Sequence, residues 1–152
     1  MPLVHPKIGF KLILCDAAQA DPTTGKLHML GAGWTVVGTP TPPHAVALMV
    51  QVPWDRANER LPVRVELLTG DGHPVLLPGP TAPQPVLQEA ELEVGRPVGV
   101  AKGSTLAAAF ALNIGPLPLP VGRYEWRAKV AEDEHSEFFQ VMGQASGLPV
   151  SL

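Results

Sequence analysis

Hydrophobic and polar positions alternate along much of the chain, and the alternation is clearest over residues 122–130. The apolar positions there are Tyr124, Trp126, Ala128 and Val130, and the charged positions between them are Arg123, Glu125, Arg127 and Lys129. Successive side chains of a β-strand point to opposite faces of its sheet. The pattern therefore predicts a strand with one buried and one solvated face, as is typical of an antiparallel sheet.

The residues that lead into this strand have the order Pro-x-Gly-x-Tyr, with Pro120, Gly122 and Tyr124. This order resembles the tyrosine corner of immunoglobulin-like sandwiches, in which the phenol hydroxyl bonds back to the backbone just upstream. We therefore expect the Tyr124 hydroxyl to bond to the chain that turns the corner.

Similar short runs recur along the rest of the chain, with proline, glycine or Asp-Gly between them. They predict strands at 10–16, at 26–30 continuing into 34–37, and at 45–52, 62–68, 75–77, 87–94 and 135–142. Residues 17–25 are interpreted as a turn, and the run 45–52 is apolar on both faces, which indicates a central strand. The acidic face of 87–94 is expected to pair with the basic face of 122–130 if the two strands are neighbours.

Residues 104–114 allow two interpretations. Ser104 followed by an alanine-rich run fits an N-capped helix. Read as a strand, the same run places Leu106, Ala108, Phe110, Leu112 and Ile114 on one face. The strand is favoured because proline and glycine follow directly and another strand begins at Gly122.

About nine short strands with turn signals between them favour an all-β fold. The 18 prolines and 15 glycines lie mainly between the periodic runs, which suits short strands better than helices. We expect a two-sheet antiparallel β-sandwich of the immunoglobulin-like Greek-key type, with a small β-barrel as the alternative. Residues 1–152 are interpreted as one domain with short flexible ends near 1–6 and 143–152.

Composition excludes several classes of partner. The formal net charge is −3 and the chain has no run of lysine or arginine, which disfavours nucleic-acid binding. No stretch approaches the roughly 20 apolar residues of a membrane span. The single cysteine, Cys15, has no partner for an intramolecular disulfide, so a cytoplasmic location is expected.

The candidate catalytic and metal-binding residues show no spacing that indicates a known chemistry. The five histidines, His5, His28, His44, His73 and His135, are dispersed singly. The glycines of 31–38 resemble a nucleotide loop but lack the strand and helix that such a loop requires. We therefore expect no cofactor, no bound metal and no catalysis. A metal-dependent or hydrolytic enzyme is the weakest alternative and requires His28, His44 or His73 to converge with a carboxylate.

Two surface features suggest binding. The strand reading of 104–114 leaves a smooth, uncharged face made of Thr105, Ala107, Ala109 and Ala111. Such a face either lies under another part of the chain or meets a second subunit. Trp34 and Trp54 follow a glycine bend and a strand exit, and are candidate anchors for a ligand or partner. The leading hypothesis is thus a module that self-associates or binds a protein partner, and the alternative is a binder of a small apolar or carbohydrate ligand.

Two long segments, LILCDAAQADPTTGKLHMLGAGWTVV and FALNIGPLPLPVGRYEWRAKV, carry a family resemblance. They resemble a family of small uncharacterised bacterial proteins. The matching positions are Asp16, Gly25, Leu30, Gly31, Gly33, Trp34, Gly122 and Tyr124. The resemblance implies a β-sandwich and brings no catalytic residues, because each matching position has a structural explanation.

Overall fold

The structure is a computed structural model that describes residues 7–143. The expected flexible ends near 1–6 and 143–152 lie outside the described residues, apart from Gly143. Twelve strands account for most of the described chain: β1 (Gly9–Cys15), β2 (Ala17–Ala20), β3 (Leu27–Leu30), β4 (Val36–Gly38), β5 (His44–Pro53), β6 (Leu61–Thr69), β7 (Leu76–Leu77), β8 (Gln84–Pro85), β9 (Leu87–Leu92), β10 (Thr105–Ile114), β11 (Gly122–Val130) and β12 (Asp133–Met142). A three-residue 3₁₀ helix, Trp54–Arg56, follows β5. Within 7–143 there is no α-helix, so the strand interpretation of 104–114 is confirmed.

The strands form a β-sandwich, as predicted. One sheet has the order β1-β5-β10 and the other has the order β4-β12-β11-β6-β9, and they are not closed into a barrel. All neighbours are antiparallel except β4 and β12, which are parallel. The apolar run at 45–52 is the central strand of the three-stranded sheet, as its lack of a polar face predicts.

The core lies between the two sheets and is made of alternate residues from each. It includes Leu12, Val46, Leu48, Val50 and Leu106 from the smaller sheet, and Val63, Val65, Leu67, Trp126 and Val130 from the larger. Each fully buried side chain of this size stabilises the fold by roughly 1.5–3 kcal/mol. The alternation read from the sequence is therefore the alternation that builds the core.

The tyrosine corner is present. The Tyr124 hydroxyl donates a hydrogen bond of 2.7 Å to the backbone oxygen of Pro120, and burial raises the pKa of this phenol. The ring of Tyr124 stacks on Phe139, with 5.7 Å between centroids. The corner thus attaches the 115–121 segment to the first residues of β11.

A hairpin made of β2 and β3 packs on the outer face of the three-stranded sheet. Ala18, Leu27 and Met29 of the hairpin cover a small buried cluster of Cys15, Ala45 and Ala47. Asn113 of β10 fastens the hairpin: its side-chain nitrogen donates to the Ala18 oxygen at 2.8 Å, and its side-chain oxygen accepts from the Ala18 nitrogen at 3.2 Å. This hairpin makes the molecule three layers thick over part of its area.

Three expectations differ from the structure in detail. Residues 17–20, interpreted as a turn, form β2, because their backbone pairs with 27–30. The two pieces expected to continue one strand separate at Gly31–Gly33, and β4 joins the other sheet. The strand predicted at 135–142 begins earlier, at Asp133, because Ala131 adopts a positive φ of 52° and closes a tighter turn.

The charged outer face of the larger sheet is paired differently from the expectation. β6 lies between β9 and β11, so the acidic face of β9 does not meet the basic face of β11. Arg64 of β6 is opposite Glu89 in register, and its guanidinium lies 2.7 Å from the Glu89 carboxylate. Glu125 of β11 is buried and accepts hydrogen bonds from Arg127 and Ser136, each at 2.8 Å.

Candidate ligand-binding groove

A groove of about 770 Å³ lies on the outer face of the three-stranded sheet, beside the hairpin. Its volume is within the range of roughly 300–1,000 Å³ that is usual for small-molecule sites. The residues that line it come from the start of β1, the start of β3, the second half of β5, the first half of β10 and the first residues of β12.

The floor of the groove is low because the outward positions of three adjacent strands carry small side chains or none. Gly9, Gln51 and Ala107 are register partners across the sheet, so a glycine and an alanine flank one glutamine. The next row contains Lys11 and Met49. Met49 is 44% exposed, although it lies in the central strand of its sheet. An apolar side chain on the floor of the groove is thus open to solvent.

The hairpin supplies one wall because it covers only half of this face. Gly25, at its turn, has a φ of +71° and lies directly over the Ala107 carbonyl, where a Cβ atom would collide with the carbonyl oxygen. Leu27 and His28 continue the wall along the start of β3. The hairpin therefore ends at a defined place on β10, and the groove begins there.

The far end of the groove reaches the start of β12. Asp133 and His135 lie there, and the Asp133 carboxylate is 2.9 Å from Nε2 of His135. The imidazole packs edge-on against Phe10, with 4.7 Å between ring centroids. This end is polar and partly aromatic, whereas the floor at Met49 and Ala107 is apolar.

The rim of the groove carries a concentration of positive charge. Lys7, Lys11 and Lys26 line it, and they are three of the five lysines in the chain. Among residues 7–143, no carboxylate oxygen lies within 4 Å of the ammonium nitrogen of any of the three. The ion pairs found there involve arginine or His135. The one carboxylate on the wall, Asp133, is held by His135.

The face of small residues predicted from the sequence is divided between two environments. Ala107 lines the groove, and Thr105 is exposed. Ala109 and Ala111 are half-buried on the side of β10 toward the hairpin and Asn113. Part of this face therefore lies under another part of the same chain, which was one of the two possibilities stated for it.

The two candidate tryptophans lie away from the groove. Trp34 packs edge-on against His44 and Phe139, with ring centroids 5.4 and 5.6 Å away, and its buried indole nitrogen has no hydrogen-bond partner within the described part of the chain. Trp54 is covered by Arg96, whose guanidinium carbon is 3.6 Å from the ring centroid. The same guanidinium donates two hydrogen bonds to the Trp54 backbone oxygen. Both rings are thus engaged by their own chain.

The histidines of the described chain lie in separate surroundings, except that two of them line the groove. His44 is buried, accepts a hydrogen bond at Nε2 from the Trp126 indole at 3.2 Å, and pairs through Nδ1 with the Pro42 oxygen. His73 lies at a tight turn after β6, and His5 is outside the described residues. His28 and His135 both line the groove. Within 7–143 no group of three or more His, Cys, Asp or Glu side chains is arranged to hold a metal ion.

Of the residues that line the groove, the sequence singled out Ala107 and His28 but none of the lysines, and neither Met49 nor Gln51. Gln51 is the one polar residue between Ala45 and Val52, and this was a usable signal that the outer face of the strand opens to solvent near its end. Lys11 and Lys26 are far apart in sequence: Lys11 lies on β1, and the hairpin that brings Lys26 to the groove begins in a segment interpreted as a turn.

A family model of DUF6941, described as a family of unknown function, matches residues 11–139. The chain belongs to DUF6941. This confirms the resemblance to a family of uncharacterised proteins, and the matched range contains most of both sheets, the hairpin and most of the groove. No curated protein matches the chain. Across residues 7–143, no helix has the length and apolar character needed to cross a membrane.

Proposed function

We propose that this DUF6941 domain is a non-catalytic binding protein that holds a small, largely apolar molecule in the groove beside the β2–β3 hairpin. The observation that carries the proposal is the exposure of Met49 on the floor of a groove of ligand size. Exposed methionine is adaptable and favours binding of apolar groups of varied shape. The proposal also places the protein in the cytoplasm, as the single cysteine led us to expect.

The fold supports this proposal because the groove is built on rigid elements. Its floor consists of paired strands whose other faces form the core, and its wall is fastened by Asn113 and by the close contact at Gly25. A preformed site loses little conformational entropy when a ligand binds. Catalysis is not part of the proposal, because nothing in the groove pairs a nucleophile with a base.

Titration with N-phenyl-1-naphthylamine, a neutral probe that fluoresces in apolar surroundings, tests the proposal. We expect saturable binding of one probe per chain, and we expect Met49→Glu to weaken it by about tenfold or more, because a carboxylate on the floor must then be desolvated. Met142→Glu is the matched control, since Met142 is similarly exposed, at 46%, on the other sheet. Equal effects of the two variants would contradict the proposal.

Self-association is the second candidate function, and a cluster of exposed apolar side chains favours it. Val36, Phe138 and Met142 are exposed on the outer face of the larger sheet, where Val36 lies beside Gln140 in register. A second copy of the chain is the partner proposed for this cluster. Light scattering over a wide concentration range tests it: a dimer that Phe138→Glu dissociates supports the candidate, and a monomer at all concentrations rejects it.

A further inference from the structure

The positive charge around the groove indicates which kind of polar group its ligand carries. The chain is acidic, with a net charge of −3, yet three of its five lysines line this one groove. Lysines are distributed over most protein surfaces as solvated charges, and an exposed one beside a carboxylate needs no further explanation. Here Lys7, Lys11 and Lys26 have no such carboxylate among the described residues.

The lysines also border the apolar floor. Lys11 is the register partner of Met49, so the two occupy adjacent outward positions on neighbouring strands. Lys26 belongs to the hairpin wall, next to Leu27. Ammonium groups beside an apolar surface suit a ligand that has an apolar body and an anionic head.

The acidic groups that could repel such a ligand are few. Among the described residues, Asp133 is the one carboxylate that lines the groove, and its bond to His135 directs it toward the imidazole. The acidic face of the molecule, which includes Glu89 and Glu91, lies on the other sheet. The groove therefore offers an electrostatically favourable place for an anion on a molecule that is acidic as a whole.

We infer that the ligand of the groove is a small amphipathic anion, with a carboxylate, sulfate or phosphate head held by Lys11 and Lys26 and an apolar body that lies on Met49 and Ala107. This inference rests on the proposed function, since it names the class of ligand that the same groove takes. It concerns a free small molecule, and no residue of the groove forms a covalent bond with it.

A matched pair of probes separates the inference from the proposed function. N-phenyl-1-naphthylamine and 8-anilinonaphthalene-1-sulfonate share a ring system, and the second adds a sulfonate. We expect the sulfonate to bind the wild-type chain about three- to tenfold more tightly than the neutral probe at low salt. Its advantage should fall as sodium chloride is raised, because salt screens charges that are open to solvent.

Variants of the rim give the residue-level test. Lys11→Gln and Lys26→Gln should each weaken binding of the sulfonate by about three- to tenfold while binding of the neutral probe stays within about twofold. Lys129→Gln, on the outer face of the other sheet, is the matched control and should change neither. Displacement of the neutral probe by decanoate at about three- to tenfold lower concentration than by 1-decanol is the corresponding result for a carboxylate head.

The outcomes distinguish failure of the inference from failure of the proposed function. Equal affinity for both probes, with Met49→Glu weakening both, keeps the groove as a binding site and overturns the anionic head. No binding of the neutral probe overturns the proposed function itself. Co-sedimentation with phosphatidylglycerol vesicles, with no displacement by decanoate, would overturn the assignment to a free molecule and favour a lipid surface.

Discussion

Individual side chains in the core show how strongly a single polar group can constrain this fold. The Tyr124 hydroxyl is attached to the Pro120 oxygen at 2.7 Å, and its ring contributes to the core cluster. The neighbouring Thr39 hydroxyl donates to the Leu119 oxygen at 2.8 Å. The segment before β11 is thus held by two side-chain hydroxyls that bond to successive backbone oxygens.

Replacement of Tyr124 by phenylalanine should keep the fold and lower the free energy of unfolding by about 0.5–1.5 kcal/mol, because the ring still fills its place and the hydrogen bond is lost. Urea denaturation measures the change. A denaturation midpoint identical to that of the wild type would show that the corner hydrogen bond does not contribute to stability.

His44 makes the stability of the fold depend on pH. Burial lowers its pKa below the ordinary value, and the groups around it are Trp34, Trp126, Phe139 and the Pro42 carbonyl, none of which is charged. Protonation would place a second N–H against the indole N–H of Trp126. The unfolded chain protonates near pH 6.5 and the folded chain at lower pH, so the unfolded state binds more protons below this value.

The free energy of unfolding should therefore fall as the pH is lowered from about 6.5 toward 5, by at most ~1.4 kcal/mol per pH unit. Chemical denaturation at several pH values measures it. His44→Gln should be less stable at neutral pH but should depend less on pH over this interval, whereas His73→Gln, at an exposed turn, should behave like the wild type. The same slope in His44→Gln and in the wild type would contradict the role assigned to His44.

At the scale of secondary-structure elements, the β2–β3 hairpin links the fold to the groove. It covers one half of the outer face of the three-stranded sheet and forms a wall for the groove on the other half. The two halves differ in the side chains that the sheet presents. Cys15, Ala45 and Ala47 are fully buried beneath the hairpin, whereas Met49 is exposed beyond it. The position at which the hairpin ends therefore sets the size of the groove.

Asn113→Ala should loosen the hairpin, because both hydrogen bonds to Ala18 are lost. Cys15 reports this opening: its thiol is buried under the hairpin, and burial raises its pKa, which makes it slow to react while the hairpin is closed. We expect the variant to react with a disulfide reagent about tenfold faster than the wild type. Gln140→Ala, on the other sheet, is the control and should leave the rate unchanged.

Gly25 and Gly33 form a second pair for comparison within the hairpin region. Both have a positive φ, +71° and +91°, so alanine at either site costs about 1 kcal/mol or more of backbone strain. Gly25→Ala also drives a methyl group into the Ala107 carbonyl, whereas Gly33→Ala meets no atom within 4 Å. Gly25→Ala should be the less stable variant in urea denaturation, and only it should change binding of the neutral naphthylamine probe. Equal stability of the two variants would contradict the close contact.

The strands of the sandwich could be predicted from the sequence where one face is buried. Residues 122–130 and 104–114 alternate clearly because their inner side chains pack against the opposite sheet. Residues 17–20 could not be predicted in the same way, since β2 is short, consists of alanine and glutamine, and is defined by pairing with β3. Strand order was not readable either: Arg64, and not the arginines of β11, meets Glu89.

For the complete chain, the groove was harder to predict than the fold because no single segment encodes it. It depends on a missing side chain at Gly9, an alanine at 107, an exposed methionine at 49 and a hairpin that ends at Gly25. These positions become neighbours through sheet register, which alternation alone does not specify. The tyrosine corner, by contrast, is local, and its residues are readable from one short motif.

The central claim is that a ligand binds on the outer face of the three-stranded sheet, and amide chemical-shift mapping tests it most directly. ¹⁵N-labelled protein would be titrated with N-phenyl-1-naphthylamine, and the largest shifts should lie at Lys11, Leu27, Met49, Gln51 and Ala107, which line the groove. Shifts centred instead on the exposed cluster at Val36, Phe138 and Met142, or no saturable shift at any position, would contradict the account.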